Sequence, residues 1–284
     1  MAVVTALAAA TTALCPGAPT AAAAPATKTA KAAGQSSAQL AAQARVTHPQ
    51  DDYAGAQIAR HEDTGPAPAG IAAPPPGQLA GLDVSNYQGN VAWPTVVGGA
   101  GQFAYIKATE GVDYISPSFN SQYTGAYAAG LVRGAYHFAT PNTSSGAAQA
   151  DYFVAHGGGW TADGRTLPPA VDLEYNPYGD ACYGMTPAAL VGWIHDFATE
   201  LHNRTGRFPT IYTSTSWWTQ CTGNNNGFGA TSALWIPRYG PVIGALPAGW
   251  TTQVIWQYAD SGAFPGDQDY FNGSPAQLRQ FALG

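Results

Sequence analysis

From residue 79 onward, short apolar runs ending in polar residues alternate with Ala-rich stretches suited to helix. The runs cover residues 82–84, 103–108, 132–138, 170–174, 210–213, 234–237 and 254–258, and a last short strand is predicted near Asp267. The clearest helices are SPSFNSQYTGAYAAG (116–130), TPAALVGWIHDFATELHNRTG (186–206) and SPAQLRQFALG (274–284). In the second, Pro187 stands near the start and Gly206 just past the end, the expected asymmetry of helix termini. Strands alternating with helices predict a parallel sheet. About eight of them in roughly 205 residues predict an α/β fold, a single (β/α) barrel of the TIM type with some helices shortened or missing.

The pattern upstream is different. Residues 27–78 are rich in Ala, Gln, Ser and Pro, close with GPAPAGIAAPPPGQ and hold no apolar period, so they read as a pro-segment or disordered linker. The exception is HPQDDYAGAQIARHED (48–63), which could form one short helix. The opening MAVVTALAAATTAL is apolar and too short to span a bilayer. It is followed by APA at 24–26, so residues 1–26 read as a secretory signal peptide, although no Lys or Arg precedes the run. Cys15 follows Leu14 rather than a small residue, which argues against a lipid anchor. The barrel domain is then expected at 79–284, with no internal repeat and no appended wall-binding module.

Charge narrows the partners. Only 10% of the residues are charged and the net charge is −6, which argues against nucleic acid and against electrostatic capture by an anionic surface. No membrane association is expected once the signal is removed. With Cys15 lost, Cys182 and Cys221 remain, and an even pair in a secreted protein predicts a disulfide fastening two loops over the barrel mouth. No H-x-x-H or C-x-x-C spacing occurs, so neither a metal nor another cofactor is expected.

Candidate chemistry lies in AVDLEY (170–175), where a strand otherwise fit for burial carries two acids two positions apart. Residues i and i+2 of a strand share a face, so Asp172 and Glu174 project together. Further acids fall at other strand ends: Asp83 in GLDVSNYQG and Asp267 in GDQDYFNG. Barrels of this kind place chemistry at the C-terminal strand ends. Two close carboxyls titrate apart, so one can act as a general acid while the other stabilises positive charge, as glycoside hydrolysis requires. Alone, a D-x-E pair is a weak motif that more often caps a helix or meets an arginine; the other strand-end acids shift the weight to the chemical reading.

GLDVSNYQG, FAYIKATEG, VRGAYHFATPN, PPAVDLEYNP, TIYTSTSWW, WQYADSG and GDQDYFNG occur in this order. Together they closely resemble the family 25 glycoside hydrolases, secreted or phage-borne lysozymes built on a (β/α) barrel, and the resemblance runs from about Leu79 to Gly284. The 48–63 stretch is also similar to pro-region sequence of some secreted members. The resemblance implies hydrolysis of the β-1,4 bond between N-acetylmuramic acid and N-acetylglucosamine in bacterial peptidoglycan, by a secreted, extracellular monomer. It implies Glu174 as general acid, Asp172 as its neighbour, and Asp83 and Asp267 as supporting acids. Asp269 departs from the family pattern, where Asn is more familiar, and Asp267 is the one expected to face the site. A carboxylate nucleophile and assistance by the sugar's acetamido group both remain open, with Asp172 able to serve in either.

Aromatic residues suit sugar faces. Tyr87, Tyr136, Tyr212, Trp256 and Tyr258 fall at or near strand ends and could form a stacking floor, Tyr136 and Tyr212 foremost, unless they fill the barrel core. Trp217 and Trp218 are expected to pack the wall or a loop. Lys107 is the only lysine after residue 78 and, if buried, needs an anionic partner, expected to be one of the site acids. His137 should turn away from Tyr136 into packing. Two rival functions remain at this stage. One is another hexosaminide hydrolase of chitinase or N-acetylglucosaminidase type, although the fuller D-x-x-D-x-D-x-E run is absent, with Ala at 170. The other is a barrel that binds glycan without cleaving it.

Overall fold

Among the described residues, eight of the nine strands close on themselves because the first strand finds a partner on each side. β1 (Leu79–Val84) pairs in parallel with β2 (Phe103–Glu110) and, on its other edge, with β9 (Asp267–Phe271). Between them run β4 (Val132–Phe138), β5 (Ala170–Asp172), β6 (Thr210–Tyr212), β7 (Leu234–Pro237) and β8 (Ile255–Ala259), and the short β3 (Tyr114–Ile115) hangs on β2 as a hairpin. The computed structural model describes residues 52–62 and 74–284. The expected signal peptide and most of residues 27–78 lie outside the described residues.

All eight runs foreseen as strands are strands, but one orientation differs. β9 is antiparallel to both β8 and β1. Only residues 260–266 separate β8 from β9, too short a link for a crossover helix, so the chain returns as a hairpin. No helix lies between β7 and β8 either, so the barrel is helix-covered over its first part and loop-covered over its last.

The helices are α1 (Ile58–His61), α2 (Trp93–Gly98), α3 (Phe119–Ala128), α4 (Gly146–Ala155), α5 (Pro187–Thr205), α6 (Thr215–Thr222) and α7 (Pro275–Leu283). α5 shows why this sequence is helical. Thr186 caps it by accepting from Ala189 N–H, Pro187 opens it, Gly206 ends it in the left-handed conformation (φ 75°), and Leu190, Ile194, Phe197 and Leu201 form its buried stripe. α7 begins with a reciprocal capping box between Ser274 and Gln277.

Two apolar layers result. Leu82, Ile106, Val171 and Ile211 face outward toward the helices. The barrel interior is aromatic: Tyr105, Tyr136 and Tyr212 gather around Trp235, with Tyr105 stacked on it at 4.8 Å. Gly134 makes this possible, because a side chain there would collide with the Tyr105 ring. Leu278 and Ala282 of α7 join the interior layer where the parallel strands begin, leaving the opposite end for polar groups.

Candidate active site

The open end of the barrel collects acids because the strands deliver them there in register. Asp83 on β1 lies opposite Asp267 on β9. Asp172 ends β5, and Glu174 follows two residues on; all four carboxyls are buried. Gln257 of β8 ties the first pair together, giving Nε2 to Asp83 Oδ2 at 2.8 Å and to Asp267 Oδ2 at 3.1 Å. Its oxygen accepts from Tyr212 Oη at 2.7 Å, which fixes the amide so that its NH2 faces the acids.

Burial is the main force on every one of these acids, and it raises them. Asp83 is pushed up to about 7, opposed by hydrogen bonds from Gln257 and Asp269. Glu174 is pushed up to about 8, opposed by the N–H groups of Gly55 and Gln57. Asp172 and Asp267 stand well above the usual carboxylate range, burial first and then the charge of Glu174 or Asp83 beside them. Neither oxygen of Asp172 meets a fixed donor of the protein, so a proton held by Asp172 and Glu174 is shared between two adjoining carboxyls. The arrangement can therefore hold protons at neutral pH and release them to a bound group.

Asp269 also faces inward, one step deeper than Asp267, where Trp235 Nε1 donates to its Oδ1 at 2.9 Å. Both aspartates of GDQDYFNG thus point into the barrel, and it is Asp267 that meets Gln257.

A profile of "Glycosyl hydrolases family 25" matches residues 82–267, a span that holds all four acids. The chain belongs to glycosyl hydrolases family 25. It is 47% identical to Lysozyme M1 of Streptomyces globisporus over 209 residues, 72% of this chain and 71% of the relative. It is also 47% identical to the N,O-diacetylmuramidase of Chalaropsis sp over 210 residues, covering 72% of this chain and all of that one. Among solved structures, the muramidase from Acremonium alcalophilum superposes with a TM-score of 0.72 at 50% identity, covering 72% of this chain and 99% of that one. The family 25 chain is thus a glycoside hydrolase. Of the readings open from sequence, a lysozyme is the one its relatives support over a chitinase-type enzyme or a non-catalytic binder.

The other expected site residues divide. Tyr136 and Tyr212 are fully buried with their hydroxyls at the mouth, Tyr136 accepting from Ala54 N–H and Tyr212 donating to Gln257. Tyr87 sits on the rim, 55% exposed, and stacks on Tyr53 at 5.7 Å. Trp256 and Tyr258 are a correction. Gln257 faces the interior, so its neighbours turn outward, where they pack with Tyr270, Tyr258 stacking on it at 4.0 Å. They belong to the outer wall rather than to a stacking floor.

Lys107 is a second correction. It is fully buried, but its ion-pair partners are Glu110 at 2.7 Å and Asp52 at 3.4 Å, not the four expected acids. The cause is local: a register shift in β2 between Lys107 and Thr109 swings Glu110 back toward the lysine. His137 behaves as expected, buried between Thr109 and Gln149 at 2.8 and 3.0 Å, and Trp217 and Trp218 are buried in α6. Cys182 and Cys221 form a disulfide, with Cys221 inside α6 rather than in a loop.

Sequence reasoning passed over Gln257, Tyr239 and Glu110. Gln257 was legible in WQYADSG, since period two sends a polar residue flanked by aromatics to the opposite face from them.

Proposed function

We propose that this family 25 enzyme is a secreted lysozyme that hydrolyses the β-1,4 bond between N-acetylmuramic acid and N-acetylglucosamine in bacterial peptidoglycan, with Glu174 as the general acid. The observation that carries the assignment is the geometry of the barrel mouth: Glu174 beside Asp172, facing Asp83 and Asp267, which Gln257 joins. A carboxyl that keeps its proton near neutral pH can give it to the glycosidic oxygen as the C1–O bond breaks. The two adjoining carboxyls share one proton: with it on Glu174, Asp172 is ionised and supplies the negative charge beside the anomeric carbon, where positive charge develops. Water then adds at that carbon and returns a proton to Glu174. Asp83 and Asp267, held by Gln257, set the field around Asp172 and the sugar. Tyr136 and Tyr212 form the floor, and Tyr87 offers a ring on the rim.

The negative charge of the chain does not steer it to an anionic wall, so binding rests on stacking and hydrogen bonds, and activity is favoured at mildly acidic pH. The decisive experiment is to digest purified peptidoglycan, reduce the new ends with borohydride and identify them. Reduced muramic acid supports the muramidase assignment. Reduced glucosamine would move the enzyme to a glucosaminidase, and no new ends from a chain with a vacant cleft would favour a glycan binder.

A further inference from the structure

Residues 52–62 precede the barrel in sequence and sit in its mouth in space. The N–H groups of Gly55 and Gln57 close on the two oxygens of Glu174, at 2.7 and 3.0 Å. Gln257 gives its Nε2 to Ala54 O at 2.9 Å as well as to the acids, and Tyr239 Oη lies 3.2 Å from Gly55 O. Asp52 meets Lys107, and Ala54 and Ile58 are buried against the barrel. A glycan reaching Glu174 would have to occupy the same space.

We propose that residues 52–62 are a built-in inhibitor that fills the glycan cleft and holds the enzyme latent until the segment is displaced. The proposal rests on the reading of this cleft as the lysozyme site. The fit is specific at both ends. Tyr53 lies over Tyr87, where a sugar face would stack, and Glu62 accepts from Tyr175 Oη at 3.1 Å and from Ser214. An open cavity flanks each end: about 300 Å³ beside Tyr53, Tyr87 and Asp267, and about 230 Å³ beside Glu62, Thr215 and Arg238. The segment therefore lies along a groove that continues past it on both sides. Its chemistry is also apt, because peptide N–H and C=O groups present what the acetamido groups of N-acetylated sugars present.

Gly55 is the point of closest approach. Its φ is +98°, and a Cβ there would lie 2.7 Å from Gln257 Oε1 and 2.9 Å from Asp267 Oδ2, with Tyr239 closer still. Only glycine fits. The segment is held without a covalent bond to the barrel face, and its tether keeps it at an effective concentration on the order of millimolar. Cutting the chain between Glu62 and Leu79 would turn this contact into one that dilution breaks.

The test uses the full chain and one carrying both Gly55→Val and Ile58→Asp, changes that lie outside the barrel. Two readouts are taken: peptidoglycan turnover, and hydrogen exchange at the Gln57 amide. The expected result is slow exchange and low turnover in the unaltered chain, with fast exchange and at least tenfold higher turnover in the variant. A synthetic peptide of residues 52–62 should inhibit the variant competitively. Equal and measurable turnover of the two chains, or an amide that exchanges freely in the unaltered chain, overturns the inhibitor. Silence from a variant whose amide exchanges freely overturns instead the hydrolase reading on which the inhibitor rests.

Discussion

Gln257 Nε2 stands 2.8 Å from Asp83 Oδ2, and the same NH2 reaches Asp267 at 3.1 Å. One neutral amide thus separates two buried acids on adjoining strands, with its own orientation fixed by Tyr212. Replacing it by Leu leaves both acids without that donor, a loss of about 1–3 kcal/mol for a buried polar group. The expected outcome for Gln257→Leu, in a chain with the cleft vacant, is a fall in kcat of ten- to a hundredfold with a smaller change in KM. Steady-state kinetics on soluble glycan fragments check this, and an equal rise in KM with kcat intact would make Gln257 a binding residue only.

Glu174→Gln removes the proposed proton donor while keeping the shape. Turnover in a vacant-cleft chain should fall by at least two to four orders of magnitude, the range for a lost general acid, with circular dichroism and glycan binding intact. The same change bears on the segment. A carboxylate can accept from both Gly55 and Gln57 N–H groups, whereas one end of a glutamine amide is itself a donor and must oppose one of them. Faster exchange of those two amides in full-length Glu174→Gln would link the acid to the latch.

The pair of Lys107 and Glu110, 2.7 Å apart and buried, is structural. Lys107→Met leaves Glu110 and Asp52 without their cation, and breaking a buried pair on one side destabilises by about 3–5 kcal/mol. Urea unfolding should show that loss, and Lys107→Met with Glu110→Gln should recover part of it. A midpoint unchanged by Lys107→Met would remove the pair from the account of stability.

The bond between Cys182 and Cys221 joins positions 39 apart and ties the stretch after β5 to α6. Closing a loop of that length stabilises by about 4 kcal/mol on the chain-entropy estimate. Cys182→Ser with Cys221→Ser should lower unfolding free energy by about 2–4 kcal/mol, while the interior aromatic layer around Trp235 keeps its near-ultraviolet signal.

Much of this was legible in the sequence. Alternation of apolar runs with helical stretches gave all eight barrel strands, and the i, i+2 spacing of Asp172 and Glu174 put both at one opening. The reversed β9 was not read, because the pattern shows where a strand lies and not its direction. Trp256 and Tyr258 were misplaced for want of following the same period through Gln257. Lys107 found other partners because a single bulge in β2 moves Glu110 by one position, and no residue type announces a bulge. The role of residues 52–62 was out of reach because weak local periodicity says nothing about a surface 119 residues away in the chain, the separation between Gly55 and Glu174.

The buried acids make stability fall as pH rises. Asp83 moves from 3.8 to about 7 and Glu174 from 4.5 to about 8, both chiefly through burial. Groups raised on folding contribute stability that is fully present below their unfolded values and lost as pH climbs through the folded ones. His137 acts oppositely: burial lowers it from 6.5 to about 3, so its contribution is present above 6.5 and lost as pH drops through 3. Between these limits the two carboxyls, joined by the raised Asp172, Asp267 and Asp269, outweigh one imidazole. Calorimetry of the full chain should therefore show Tm highest near about pH 4 and falling from there toward pH 8–9, with a second fall at more acid pH as His137 takes up its proton. Displacing residues 52–62 re-exposes Glu174 to water and should flatten the alkaline slope. A Tm that climbs steadily from pH 5 to 9 would mean that these acids are solvated in the folded protein, and that the mouth of the barrel is open rather than filled.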